Sequence, residues 1–256
     1  RNRKDHSYDG LTFATSDKVK VDRLWDMLGR EGKHVIALGV PQTFPPRPVN
    51  GEMVSCFLTP STDSKYTYPE ELKDEVRQVV GDYMVDVPDY RTLDKERVLR
   101  DINEMTRRRF ALARHLRDTR PWDFLMLVEM GPDRLHHAFW RFYDHEHPDY
   151  EPGNPHEEGF REYYRYLDRE VGELIEGLDD TTALLIVSDH GARAEALLVA
   201  HQAGVERAVA LVGGPEVEPR LAGIALAQEI VEEGVLRPRT TAFLRRRDVL
   251  GVGHAL

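Results

Sequence analysis

The sequence is 256 residues long, carries a formal net charge of -10 and is 41% hydrophobic by residue count. That length buries a substantial core as one α/β domain, and the acidic balance argues against a general nucleic-acid or anionic-membrane surface. The single cysteine, Cys56, excludes an internal disulfide framework and a cysteine-based zinc cluster, and no apolar stretch approaches the roughly 20 residues that span a bilayer.

The chain opens Arg1-Asn-Arg-Lys-Asp-His, with no apolar signal core. The expectation is therefore a cytoplasmic protein without membrane attachment. Val21 to Gly32 places Val21, Leu24, Trp25 and Leu28 at helical spacing and closes on a glycine. His34 to Val40 reads as a buried strand, and Pro41 to Gly51 is too rich in proline for either element. Pro69 to Val80 begins with proline and glutamates, so a helix there has its negative charge at the favourable end. Asp94 to Asp118 predicts a long charged helix with Val98, Ile102, Met105, Phe110 and Leu112 on one face. A strand over Phe124–Val128 follows, then a helix over His137–Tyr143 and a polar, proline-bearing loop over Asp144–Glu158. Glu162 to Leu178 reads as a helix, Ala183 to Val187 as a strand, Ala208 to Val212 as a further strand and Ala222 to Glu233 as a further helix. Strands alternating with helices predict a doubly wound, mostly parallel sheet with helices on both faces. The whole of 1–256 is expected to form one such domain, with 41–68 and 144–158 as loop excursions.

Two motifs carry the chemistry. Asp133-Arg134-Leu135-His136-His137 follows the apolar run Phe124–Val128, and Ser188-Asp189-His190-Gly191 follows Ala183–Val187. Runs of that kind suit strands buried on both faces, and ligands in open α/β sheets sit beyond the carboxyl ends of such strands. Asp133 and His137 are four apart, so on a helix their Cβ atoms lie roughly 6 Å apart on one face. A carboxylate oxygen and an imidazole nitrogen at that spacing reach one borderline-soft cation. The plainer reading makes Asp133 an N-cap after Gly131-Pro132. Asp189 and His190 follow five apolar residues, and a charged carboxylate buried at a strand end is costly unless it is paired or metal-bound. The plainer reading there is a cap for the next helix. His136 points elsewhere on its helix and reads as a pocket wall.

Together these stretches resemble the type I phosphodiesterase/nucleotide pyrophosphatase branch of the alkaline phosphatase superfamily, especially its predicted phosphohydrolase/phosphomutase members. The likeness runs through Leu24-Trp25-Asp26-Met27-Leu28, Val40-Pro41-Gln42-Thr43-Phe44-Pro45-Pro46, Pro48 to Ser55 and Tyr68 to Leu72. It continues in the D-R-x-x-H element at Asp133–His137 and the S-D-H-G element at Ser188–Gly191. The resemblance implies a two-metal phosphoryl-transfer enzyme acting on a small phosphate mono- or diester. It assigns Asp133 and His137 to a first cation, and Asp189 and His190 to a second. Zinc suits the mixed nitrogen and oxygen donors, with manganese as the alternative. His201 and His254 are candidates for a further ligand of the first cation. In that family the early metal-binding aspartate and the Thr or Ser nucleophile are expected upstream of the segment where this sequence begins, so no nucleophile is assigned here. Asp5, Asp9, Thr12, Thr15 and Ser16 read as an exposed, flexible segment. The competing function is a noncatalytic metal- or nucleotide-binding module of the same fold.

Some residues carry plainer expectations. Arg107-Arg108-Arg109 and Arg245-Arg246-Arg247 read as solvated faces, Gly213-Gly214-Pro215 as a turn, and His145, His147 and His156 as part of a solvated loop.

Overall fold

The computed structural model describes residues 13–192 and 220–226. Six strands and five α-helices fall among them: α1 (Leu24–Arg30), β1 (Val35–Leu38), β2 (Gly51–Val54), β3 (Thr67–Tyr68), α2 (Leu72–Val80), α3 (Lys95–Thr119), β4 (Phe124–Glu129), α4 (Gly131–Tyr143), α5 (Glu157–Glu176), β5 (Thr182–Val187) and β6 (Arg220–Leu226). The sheet order is β3-β2-β1-β4-β6-β5. Every pairing is parallel except β2 with β3, giving a mixed, mostly parallel α/β sheet as the sequence predicts.

The order fixes where a site can form. From β1 the chain moves to β2 on one side, then returns through α2 and α3 to place β4 on the other side. Connections diverging from neighbouring strands open a crevice beyond their carboxyl ends. β1 is fully buried at Val35, Ile36, Ala37 and Leu38, consistent with a central strand whose two faces are both covered. α3 packs against β1, β4, α2, α4 and α5, which makes it the spine of the described core. Its N-cap is Asp94, whose Oδ1 accepts the Arg97 backbone N–H at 3.1 Å. Beside Val35, its register partner, Gly51 has φ +139°, and a Cβ there would lie 2.0 Å from the Val35 carbonyl oxygen. Only glycine fits that approach.

Several expectations need correction. The span 41–68 is not all loop, because it contains β2 and β3. A four-residue strand carrying Glu52 gives too short an apolar signal to read. Within the expected helix over 222–233, the described part is the strand β6, paired in parallel with both β4 and β5. Its alanines and leucines satisfy a helical pattern equally well, and the two open edges beside it decide for strand. The described residues cover β5 only in part, and Leu184 is its one buried residue. On α1, Trp25 is buried, whereas Val21 (before the helix) and Leu24 are exposed. Ser16, expected on an exposed segment, is buried, its N–H donating to the Phe44 carbonyl at 2.8 Å. The expected strand at 208–212, the glycine pair at 213–214 and the arginine run at 245–247 lie outside the described residues.

Candidate metal centre

Asp133 stands in the first turn of α4, directly after β4, and is buried. It is not the N-cap; that position is Met130, whose own side chain makes no capping hydrogen bond. Its Oδ2 accepts a hydrogen bond from Arg134 Nη1. Its Oδ1 faces two imidazoles, with His137 Nε2 at 3.5 Å and His190 Nε2 at 3.7 Å. His137 arrives one helical turn on, as the four-residue spacing requires. His190 arrives from the loop after β5, across the crevice.

The tautomer of His190 follows from its partner. Its Nδ1 lies 3.0 Å from the Gly191 carbonyl oxygen, which can only accept, so Nδ1 carries the proton. In the neutral imidazole that tautomer has its lone pair on Nε2, the atom 3.7 Å from Asp133 Oδ1, as a metal-ligating histidine requires. Ser188 Oγ donates to the His190 carbonyl at 2.8 Å and fixes the same turn.

Asp189 behaves differently. Its side chain is 72% exposed, and its Oδ1 lies 3.9 Å from His190 Nε2. The expectation that it is a buried strand-end carboxylate is therefore corrected: the side chain stands exposed past the end of β5. The structure brings Asp133, His137 and His190 together and leaves Asp189 at their margin.

Around these groups the wall is aromatic and charged. Arg134 forms a two-point ion pair with Asp86, Nε to Oδ1 at 2.6 Å and Nη2 to Oδ2 at 2.7 Å. Its guanidinium also lies over the Tyr90 ring at 4.6 Å and the Phe57 ring at 5.5 Å. Tyr90 in turn sits 6.0 Å from the His137 ring. His136 is directed away, its Nε2 2.7 Å from the Tyr164 hydroxyl and its ring against Trp140 and Phe160. Burial, helped by the neighbouring His190 and His137, pushes its pKa down to about 3. A neutral His136 adds no positive charge beside the centre, in keeping with its reading as a wall.

Sequence reasoning missed Asp86 and Tyr90. They belong to an irregular stretch, Gly81 to Thr92, whose residues form no motif and whose role appears only when Arg134 folds against them. It also took Arg109 for a solvated residue. Arg107 and Arg108 do pair with Glu104 at the surface, yet Arg109 is buried and donates to the Val128 and Val85 carbonyls. His145 is exposed and faces Glu157 at 3.5 Å, as a solvated loop predicts. His201 and His254 lie outside the described residues.

A family model for type I phosphodiesterase/nucleotide pyrophosphatase matches residues 1–226. The chain belongs to that family. It is thereby a member of the alkaline phosphatase superfamily, whose mixed, mostly parallel α/β architecture matches the sheet described above. Neither the curated proteins nor the solved structures gave a match. This phosphodiesterase family carries out phosphoester hydrolysis and generally uses divalent metals.

Whether the donors present suit such an ion is a question of separation. Two ligands of a tetrahedral cation, each about 2.1 Å from it, lie about 3.4 Å apart. The Asp133–His137 and Asp133–His190 separations, 3.5 and 3.7 Å, are close to that edge. Among the described residues, no group of three or more His, Cys, Asp or Glu side chains converges on one ion position. The donor chemistry thus fits a divalent cation pairwise, with Asp133 Oδ1 common to both pairs. No helix among the described residues is long and apolar enough to cross a membrane.

Proposed function

We propose that this chain binds divalent cations at Asp133, His137, Asp189 and His190, zinc or manganese, and uses two of them to hydrolyse a small phosphate mono- or diester. One observation carries the reading: Asp133 Oδ1 faces two imidazole Nε2 atoms at ligand-edge separations, and the hydrogen bond at His190 Nδ1 suits the tautomer that ligates through Nε2. A bound divalent cation supplies Lewis-acid polarisation of a phosphoryl oxygen. The chain's own residues do the positioning. Arg134 holds Asp133 by one oxygen and leaves the other turned to the crevice. The Asp86 pair and the Tyr90 ring restrain Arg134 in turn. The exposed faces of His137 and His190, each about half accessible, open the site to a substrate from solvent. The proposal places the activity in the cytoplasm, in keeping with a single cysteine that is buried and free.

The exposed Asp189 favours a second reading, a noncatalytic metal-binding module, because one expected ligand stands 72% exposed. Both readings separate in one assay, hydrolysis of bis(p-nitrophenyl) phosphate with added Zn²⁺ or Mn²⁺, with His190→Ala alongside. The expected result is cation-dependent turnover that falls to background in the variant. Equal rates in the two proteins overturn the hydrolase reading. Cation binding by calorimetry without turnover establishes the second one.

A further inference from the structure

The first residue of the helix that carries Asp133 is held by a carboxylate that the metal centre itself does not use. Glu129, the last residue of β4, is fully buried. A carboxylate is placed there at a cost unless its lone pairs are occupied. Oε1 accepts the Gly131 backbone N–H at 2.6 Å and the Thr106 hydroxyl at 3.1 Å. Thr106 Oγ1 lies 2.9 Å from the Tyr163 hydroxyl, and the Arg109 guanidinium lies 3.7 Å from Oε2. Thus α3, β4 and α5 all reach the first turn of α4.

The Gly131 N–H is one of the donors that a helix start leaves without an internal partner. With Met130 at the N-cap offering no side-chain acceptor, Glu129 takes that role from the preceding strand. The fit is close: a Cβ on Gly131 would lie 1.9 Å from the Tyr163 hydroxyl and 2.7 Å from both Glu129 Oε1 and Thr106 Oγ1. The turn is therefore held in one place, two residues before Asp133.

We infer that Glu129 is a positioning residue for the metal centre, its buried acceptor oxygen anchoring the first turn of α4 so that Asp133 Oδ1 meets His137 and His190. This rests on reading Asp133 and His190 as ligands. The mode of action is geometric: the acceptor fixes a backbone N–H, the backbone fixes the Asp133 side chain, and Asp133 sets both imidazole separations. Supporting groups of this kind change metal affinity even though they never touch the ion.

The test is Co²⁺ titration followed by calorimetry and visible absorption, on wild type, Glu129→Leu, Glu129→Gln and Thr106→Val, with circular dichroism to show which variants fold. Folded Glu129→Leu is expected to bind Co²⁺ about 10- to 100-fold more weakly with an altered visible spectrum. Glu129→Gln keeps an acceptor oxygen and is expected to stay near wild type. Thr106→Val removes one donor and should shift affinity in the same direction by less, which keeps the test informative if the leucine variant does not fold. Wild-type affinity and spectrum in Glu129→Leu, or an equal loss in the leucine and glutamine variants, overturn the positioning role alone. An unchanged Thr106→Val, with Glu129→Leu unfolded, overturns it too. Wild type that binds no Co²⁺ overturns the ligand reading, and the positioning role falls with it.

Discussion

Charge does different work at different depths here, and Glu104 and Asp133 show the contrast. Glu104 sits on the outer face of α3 and takes hydrogen bonds from Arg107 and Arg108. Those bonds, Arg107's first, hold its pKa down to about 2 from 4.5 against the opposing effect of burial. A carboxyl whose folded pKa is depressed adds stability that is fully present above its unfolded pKa and is lost as pH falls through the folded one. The window is therefore pH 4.5 down to about 2. Because the group is partly exposed, salt screens the effect. Denaturant melts across that window should lose stability more steeply in wild type than in Glu104→Gln, and added salt should narrow the gap. Parallel acid limbs in low salt count against the assignment. Asp133 is buried, and its neighbours matter through position instead: one oxygen goes to an arginine, and the other is left for the crevice.

Among the elements, α3 carries most of the packing, and a single truncation there has a defined consequence. Leu112 is fully buried. Leu112→Ala removes contacts that cannot all be refilled, so it should cost about 2–5 kcal/mol, measured as a lower denaturation midpoint with an unchanged slope. A loss below about 1 kcal/mol would mean that the core around α3 relaxes freely. The same helix shows what was legible in the sequence. Its period of buried apolar residues, Val98 through Leu112, and its Asp94 cap are local signals, and both are present in the structure. Strands β1, β4 and β5 were legible as apolar runs between breakers. β2 was not, since four residues with one glutamate carry too little pattern, and β6 was not, since Ala, Gly, Ile and Leu suit either element until neighbouring strands are in place. The placement of Asp133 and His137 one helical turn apart, and of His190 beyond a strand end, was legible because helix spacing and strand-end position are local. The approach of His190 to Asp133, and the exposure of Asp189, depend on a loop after β5 and were not. Nor was the burial of Glu129 and Arg109, which comes from contacts between elements far apart in sequence.

The molecule joins these parts because the crevice beyond the strands is closed by segments with separate supports. α4 is anchored through Glu129 to α3 and α5, whereas His190 hangs on a loop at the end of β5, a strand with one buried residue. One side of the centre is thus preset and the other is lightly held. A cation that links Asp133 to His190 ties the lightly held side to the preset one, so its binding free energy adds to the stability of the fold. At a free cation concentration about 100-fold above Kd, the linkage amounts to about 2.7 kcal/mol. For a chain of this size that corresponds to a rise in Tm of about 5–10 °C. Scanning calorimetry with and without Zn²⁺, and after chelation, should show that rise and its reversal. His190→Ala should retain only the part due to Asp133 and His137, giving a visibly smaller shift. An equal shift in wild type and variant would place the stabilising cation somewhere other than between α4 and the loop after β5, and would remove the structural ground for joining the two motifs in one centre.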